Sequence, residues 1–447
     1  MARYAYFWGC YLPGRLPHME KAIRLSMARL GLEIADLDGF TCCPEKSMVR
    51  NHGHQLWLLT AARNLALADE AGVDLSTPCA GCFGTLAGAR MELVGNRALT
   101  QKINQELAAV GHGYTGHAKV RHLLDLIYHE VGLTKVRQSV IKPLVGMRIA
   151  LHHGCHLLRP SRDLAFDDPA HPYKFEELVQ ALGAEVLHYD TEALCCGGLM
   201  SRVDDEALGE AMARKKLQEL RRLGADALVV VCPSCFMQYD ATQYVLQRRG
   251  EELCIPVFYY LELLALAMGM SPEEIGLGHH RVEVSPFHRK WERTLGLIAS
   301  TVGTLDHTLI SNCAECGACV RDCPVAQSDL TYDPNALIRM VAQGHMEEVL
   351  SSHSLWKCHE CYACHETCWQ DLAMVDIFRQ LKHTVLARGQ GPAPARAGFE
   401  AFAKTGRLIK GSTAQRKRLL LPPPSDSGTE ELARLIASQK EDEHEQV

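Results

Sequence analysis

The sequence of 447 residues has no apolar run long enough to cross a bilayer. Its best stretch, Ile255 to Met270, is too short and is broken by Glu262. The apolar run between Arg3 and Gly9 is too short for the apolar core of a secretory leader. Charge of one sign is not in excess: 47 Lys and Arg face 53 Asp and Glu, for a net charge of -6. No global field therefore favours nucleic acid or anionic lipid. These absences predict a soluble, cytoplasmic chain with no direct membrane span and no nucleic-acid partner. At 47% apolar and 22% charged, the composition is that of ordinary globular domains, and the length allows roughly three of them.

Cysteine is what the chain has in abundance. It holds 19, an odd number in a long chain, so a disulfide framework is a poor explanation. In a reducing compartment, closely spaced cysteines more often bind metal. They fall into four groups: Cys10, Cys42, Cys43, Cys79, Cys82; Cys155, Cys195, Cys196, Cys232, Cys235; Cys313, Cys316, Cys319, Cys323; and Cys358, Cys361, Cys364, Cys368. Cys254 stands outside them, before Ile255-Pro256-Val257, and reads as a buried structural thiol.

The first two groups are copies of one spacing. In each copy 35 residues separate the vicinal pair from its C-x-x-C, and the copies are offset by 153 residues. Between the leading cysteine and the pair stand 31 residues in one copy and 39 in the other, as an eight-residue insertion within 159–172 would produce. Two copies of one spacing predict two copies of one structural unit. Short β-prone runs at 3–8 and 147–152 lead into Gly-Cys, and the apolar run 227–231 ends at Cys232, as buried parallel strands do. Helical periodicity covers 56–71 and 206–223. Alternating strands and helices predict α/β units with cysteines at strand C-terminal ends, where open parallel sheets place ligands.

Residues 271–281 are polar and glycine-containing and read as a linker. Beyond them, 282–388 has few β-prone runs, with helices expected at 335–343 and 346–351. The remainder, 389–447, has a basic stretch at 404–418 and an acidic end, and reads as a flexible tail. The resulting plan is 1–145, 146–270, the linker, 282–388 and the tail.

Groups three and four each read C-x2-C-x2-C-x3-C, the run of two-cluster ferredoxins, in which the fourth cysteine serves the other cluster. One cubane 4Fe-4S cluster would take Cys313, Cys316, Cys319 and Cys368, and the other Cys358, Cys361, Cys364 and Cys323. Pro324 follows the first run as the pattern expects, whereas Trp369 stands at that place in the second. Zinc fits this doubled rhythm poorly. Cys361 to His365 also fits a haem c attachment pattern, but its cysteines belong to the longer motif. Groups one and two offer five sulfurs each where a cubane needs four. Either one thiol is spare, or a crowded vicinal pair bridges two irons.

The surroundings of these ten cysteines carry a resemblance. The spacing resembles that of the CCG cysteine-rich domain. Tyr4–Cys10, Thr77–Cys82, His153–Ser161 and Val231–Cys235 look like the flanking text of the B subunit of heterodisulfide reductase. Residues 282–388 resemble the C subunit of the same enzyme, an α-helical ferredoxin. The chain thus looks like a B–C fusion: an α/β tandem pair of CCG units with parallel sheets, followed by an α-helical ferredoxin domain. The resemblance implies five-cysteine ligation of a noncubane 4Fe-4S cluster in each repeat, with a disulfide substrate cleaved between the two. It also implies two cubane clusters relaying electrons from a flavoprotein partner resembling the A subunit of heterodisulfide reductase. Hydrogenase, formate dehydrogenase or acyl-CoA reductase modules are further candidates for the assembly.

Disulfide cleavage takes two electrons, while each cluster commonly delivers one, so a facing pair meets the need. The thiolate products need protons. His153 and His156 bracket Cys155 together with His152, and Arg159 follows, so these residues are expected to donate protons or bind an anionic substrate group. Lys46 is a weaker candidate. Two other readings remain. One is a non-catalytic carrier in a larger bifurcating or sulfur-oxidising complex, like that of class II benzoyl-CoA reductase. The other is an iron–sulfur component of lactate, glycolate or glycerol-3-phosphate oxidoreductases, which usually place the ferredoxin part first.

Overall fold

The computed structural model describes residues 3–203, 205–302, 316–370, 372–408, 413–421 and 428–436. Two compact units divide the chain: residues 1–297 with 342–344, and residues 298–341 with 345–447.

In the first unit, eight short strands among the described residues form two four-stranded parallel sheets. The strands are β1 (Tyr4–Tyr6), β2 (Ile34–Asp36), β3 (Asp74–Thr77), β4 (Val120–His122), β5 (Arg148–His152), β6 (Glu185–Leu187), β7 (Ala227–Val230) and β8 (Val257–Tyr259). Sheet order is β2-β1-β3-β4 in one and β6-β5-β7-β8 in the other, so the repeat in the cysteine spacing is a repeat of topology. In register, Tyr4 pairs with both Ile34 and Asp74, and Ile149 with both Val186 and Ala227.

The central strands are apolar because both faces are covered: β1 and β7 are buried throughout. Helices His54–Ala71 and Glu206–Leu223 match the periodic stretches, the second residue for residue. Each closes on a glycine in the left-handed conformation, Gly72 (φ 66°) and Gly224 (φ 68°). Phe7, Trp57, Phe175, Phe236, Tyr239, Phe258, Tyr260 and Trp291 fill the interior. Each such burial stabilises the fold by about 1.5–3 kcal/mol.

The segment 271–281, read as a linker, packs within this unit through buried Ile275 and Leu277. Cys254 corrects an expectation: it is exposed, because its neighbours Leu253 and Ile255 take the interior positions. Its sulfur accepts from Gln247 Nε2 at 3.2 Å.

The second unit is helical. Pro334–Ala342, Met346–Ser351 and Met374–Ala387 bury Leu337, Ile338, Val341, Val349, Phe378 and Leu381. Within the stretch read as a tail, helices cover Ala393–Thr405 and Thr413–Arg418, while its end, 437–447, lies outside the described residues. Among the described residues no helix is long and apolar enough to cross a membrane.

Candidate functional site

In a sheet of order 2-1-3-4, neighbouring strands β1 and β3 send their chains away in opposite directions. The gap beyond their C-terminal ends is where such folds bind ligands. Cys10 follows β1 and Cys79 follows β3; Cys155 follows β5 and Cys232 follows β7. The leading cysteine and the C-x-x-C of each repeat thus meet at its switch point.

Local backbone chemistry explains the motif. Cys79 caps the helix Ala80–Val94 with extended φ/ψ, and Cys82 lies in its first turn. Cys232 caps Pro233–Arg248 in the same way, with proline at the first helical position. The positive end of each helix favours thiolates there. The glycine before each leading cysteine is required twice over. Gly9 and Gly154 have φ of 70° and 77°, and a Cβ on Gly9 would stand 2.8 Å from the Cys82 sulfur.

The repeats interlock. A Cβ on Gly84 would meet the His156 carbonyl at 2.8 Å, so the first repeat's helix lies directly on the second repeat's Gly-Cys turn. Two reciprocal hydrogen bonds hold the turns before the C-x-x-C motifs. Tyr259 of β8 donates its hydroxyl to the Pro78 carbonyl at 2.7 Å. His122 of β4 donates from Nε2 to the Val231 carbonyl at 3.3 Å, its Nδ1 accepting from the Leu124 amide. Burial pushes His122 down to about 4, so the ring is neutral.

All ten cysteines of the first two groups, with Tyr11, Glu45, Met48, His156, Leu199 and Arg202 among their neighbours, wall one crevice of about 180 Å³. Their thiols stand as a continuous series of interacting neighbours. It runs from Cys10 through Cys42, Cys43, Cys82 and Cys79 to Cys232, then through Cys235, Cys196 and Cys195 to Cys155. Cys79, Cys82, Cys232 and Cys235 are deep, while Cys10 and Cys42 are exposed. Interactions with Cys42 and Cys82 hold the Cys43 thiol below the usual thiol range, and those with Cys155 and Cys196 do the same for Cys195.

The donor set suits iron. Five soft sulfurs per repeat converge on one crevice. The buried His152 Nε2 has no hydrogen-bond partner among the described residues, and His152 groups with Cys196 and Cys235 within metal-ligating distance. Its Nδ1 faces Lys216 Nζ at 3.2 Å. Lys216, itself buried and bonded to the Glu192 carbonyl at 2.9 Å, is a site neighbour that the cysteine motifs do not point to. Its signal is nonetheless in the sequence: Gly209, Ala213, Lys216 and Leu220 share one helix stripe, so the lysine falls on the apolar face.

The candidate catalytic residues separate. His156 lines the crevice. His153 is buried against Phe175 with Nε2 3.0 Å from Glu192 Oε1, and with Arg159 and His152 it lines an adjoining cavity of about 440 Å³ beside Cys155. Arg159 donates to the Ala193 carbonyl at 3.3 Å. Lys46 packs beside Gly88 rather than in the crevice wall. The crevice's own guanidinium is Arg202, which donates to the Tyr11 hydroxyl and, at 2.9 Å, to the Gly198 carbonyl. It lies in the second repeat yet acts electrostatically on Cys10 of the first.

In the second unit the two ferredoxin runs share a turn. Gly317 and Tyr362, each just after the second cysteine of its run, are left-handed at φ 65° and 63° and lead into helical turns Ala318–Arg321 and Ala363–Glu366. The Tyr362 hydroxyl accepts from Arg379 at 2.6 Å. Cys323 lies near Cys364, as do Cys358 and Cys361; burial first, then these thiols, push Cys364 up to about 11. Cys319 and Cys323 also lie near Tyr332, and Cys368 accepts from the Leu372 amide at 3.2 Å. Cys316 is exposed, and Cys313 lies outside the described residues.

Comparison with known proteins agrees with this division. The cysteine-rich domain family, CCG, matches residues 4–87 and 149–240, and the 4Fe-4S dicluster domain family matches 309–372. The chain is similar to the B subunit of the ferredoxin/F(420)H(2)-dependent CoB-CoM heterodisulfide reductase of Methanosarcina acetivorans. Identity is 36% over 302 residues, which is 66% of this chain and 100% of the relative. The 8-methylmenaquinol:fumarate reductase membrane anchor subunit of Wolinella succinogenes is 31% identical over 63% of this chain and 98% of its own length. The C2 subunit of the H(2)/formate:CoB-CoM heterodisulfide,ferredoxin reductase of Methanococcus maripaludis is 27% identical over 100 residues, 22% of this chain and 53% of the relative.

Proposed function

Because the chain belongs to the B-subunit family of heterodisulfide reductases and continues into a ferredoxin domain like that of their C subunits, we propose that it reductively cleaves a disulfide within a larger complex. Cys313, Cys316, Cys319 and Cys368, and Cys358, Cys361, Cys364 and Cys323, would hold two cubane 4Fe-4S clusters, which would carry electrons from a flavoprotein partner resembling the A subunit of those enzymes toward two noncubane ones. The observation that carries this reading is the single crevice walled by ten cysteines, five from each repeat.

Cys10, Cys42, Cys43, Cys79 and Cys82 would hold one noncubane cluster, and Cys155, Cys195, Cys196, Cys232 and Cys235 the other. When bound, the clusters supply the two single electrons that split the sulfur–sulfur bond. The chain's own residues do the rest. Arg202 and Tyr11 present a cation and a hydroxyl at the crevice wall, suited to an anionic group on the disulfide. His156 is placed to give one proton to a departing thiolate, the second coming from solvent. One disulfide, two electrons and two protons thus yield two thiols. His152, whose Nδ1 faces Lys216, would turn its unpaired Nε2 toward the second sulfur set.

A purified, fully iron-loaded chain supplied with a reduced viologen tests the reading. Disulfide-dependent oxidation of the viologen is expected. Full loading with no turnover of any disulfide favours the second reading, an electron relay, to which the fumarate reductase relative lends support.

A further inference from the structure

Three buried donor side chains from separate segments converge at a place that shares no residue with the sulfur crevice. His18 lies in helix Pro17–Leu30 of the first repeat, Glu262 in helix Tyr260–Ala267 at the end of the second, and His280 in the segment that follows. Their ligand atoms all lie within 4.8 Å of one another. His280 Nε2 stands 3.1 Å from Glu262 Oε1, and His18 Nε2 stands 3.7 Å from the same oxygen.

We propose that His18, Glu262 and His280 form a binding site for one divalent ion of the zinc class, independent of the iron–sulfur clusters. Two imidazoles and a carboxylate are a recurrent zinc donor set, with a fourth position left for water. Bonds of about 2.0–2.1 Å to a tetrahedral ion put its ligand atoms roughly 3.3–3.5 Å apart, a spacing that lies between the two observed separations. As a plain hydrogen-bonded trio the group is incomplete. His18 Nε2 is buried and has no hydrogen-bond partner among the described residues, a condition that native interiors rarely leave unanswered.

The surroundings hold the three donors in place, as the outer neighbours of metal ligands do. The Tyr259 amide donates to Glu262 Oε2 at 2.9 Å, which leaves Oε1 for the histidines. Asp240 accepts from the Arg281 amide at 3.1 Å and the Val282 amide at 2.9 Å, fixing the chain just after His280. Gly276 closes over His18 so tightly that a Cβ there would come within 2.9 Å of its Cβ. The ion would clamp the first repeat to the second and to the segment beyond it.

The test uses the full-length chain, iron-loaded under anaerobic conditions, exposed to zinc chloride and then freed of loose metal by gel filtration. About one zinc per chain should remain, with a zinc-edge absorption spectrum showing only nitrogen and oxygen neighbours at about 2.0–2.1 Å. His18→Asn and Glu262→Gln should each weaken zinc retention at least about tenfold while iron content stays unchanged. Absence of retained zinc in the unaltered chain, or sulfur neighbours at about 2.3 Å, overturns the proposal whether or not the variants fold. So does zinc retention that neither substitution reduces.

Discussion

The sulfur atoms of Cys79 and Cys232 lie 3.8 Å apart, although 153 residues separate them in the chain. They are equivalent positions of the two repeats and meet where the two sulfur sets adjoin. Losing either should therefore be felt on both sides. Cys79→Ser should remove about one cluster in four from the iron content. It should also alter the magnetic resonance signal of the second repeat's iron. Iron analysis and electron paramagnetic resonance of the pair Cys79→Ser and Cys232→Ser check this, and independent behaviour of the two sites would contradict it.

Tyr259 secures the turn before Cys79 from the opposite repeat. Tyr259→Phe leaves the buried Pro78 carbonyl without its donor, at a cost of about 1–3 kcal/mol. For a unit this large, thermal unfolding should shift downward by roughly 2–4 °C per kcal/mol, followed by circular dichroism on the iron-loaded chain. An unchanged midpoint would show that the latch is not needed.

Much of this was legible beforehand. The repeated cysteine spacing fixed the duplication, and the apolar run 227–231 marked a buried parallel strand at 227–230, because a strand covered on both faces must be apolar. The residues of the crevice wall were only partly legible. His156 was visible beside Cys155, but Arg202 was not, since it reaches the first repeat's cysteine only through the packing of one repeat on the other. Lys216 was legible in principle as a charge on an apolar helix stripe. The trio of His18, Glu262 and His280 had no sequence signature, because its members are far apart and single.

Arg202 and His156 should separate binding from chemistry. Arg202→Ala should raise KM for an anionic disulfide about tenfold with kcat nearly intact, the loss of one charge-assisted hydrogen bond. His156→Ala should lower kcat by at least about 100-fold, the lower end of general acid catalysis. Iron content should hold in both variants. Steady-state kinetics with reduced viologen gives the split, and equal effects on both constants for Arg202→Ala would remove it from substrate binding.

The ferredoxin runs should matter only for electrons that arrive through them. Cys364→Ser should lose about one cluster's iron and abolish reduction by a flavoprotein partner. Disulfide turnover with a small viologen, which can reach the crevice directly, should persist. Loss of both activities together would mean that the second unit does more than relay.

The most direct measurement is electron paramagnetic resonance of the oxidised, iron-loaded chain with and without the product thiol. A thiol held by iron in the crevice predicts a new signal that appears only with thiol present and vanishes in Cys79→Ser or Cys232→Ser. A spectrum indifferent to every thiol, from protein with a full iron complement, would contradict disulfide chemistry at this site.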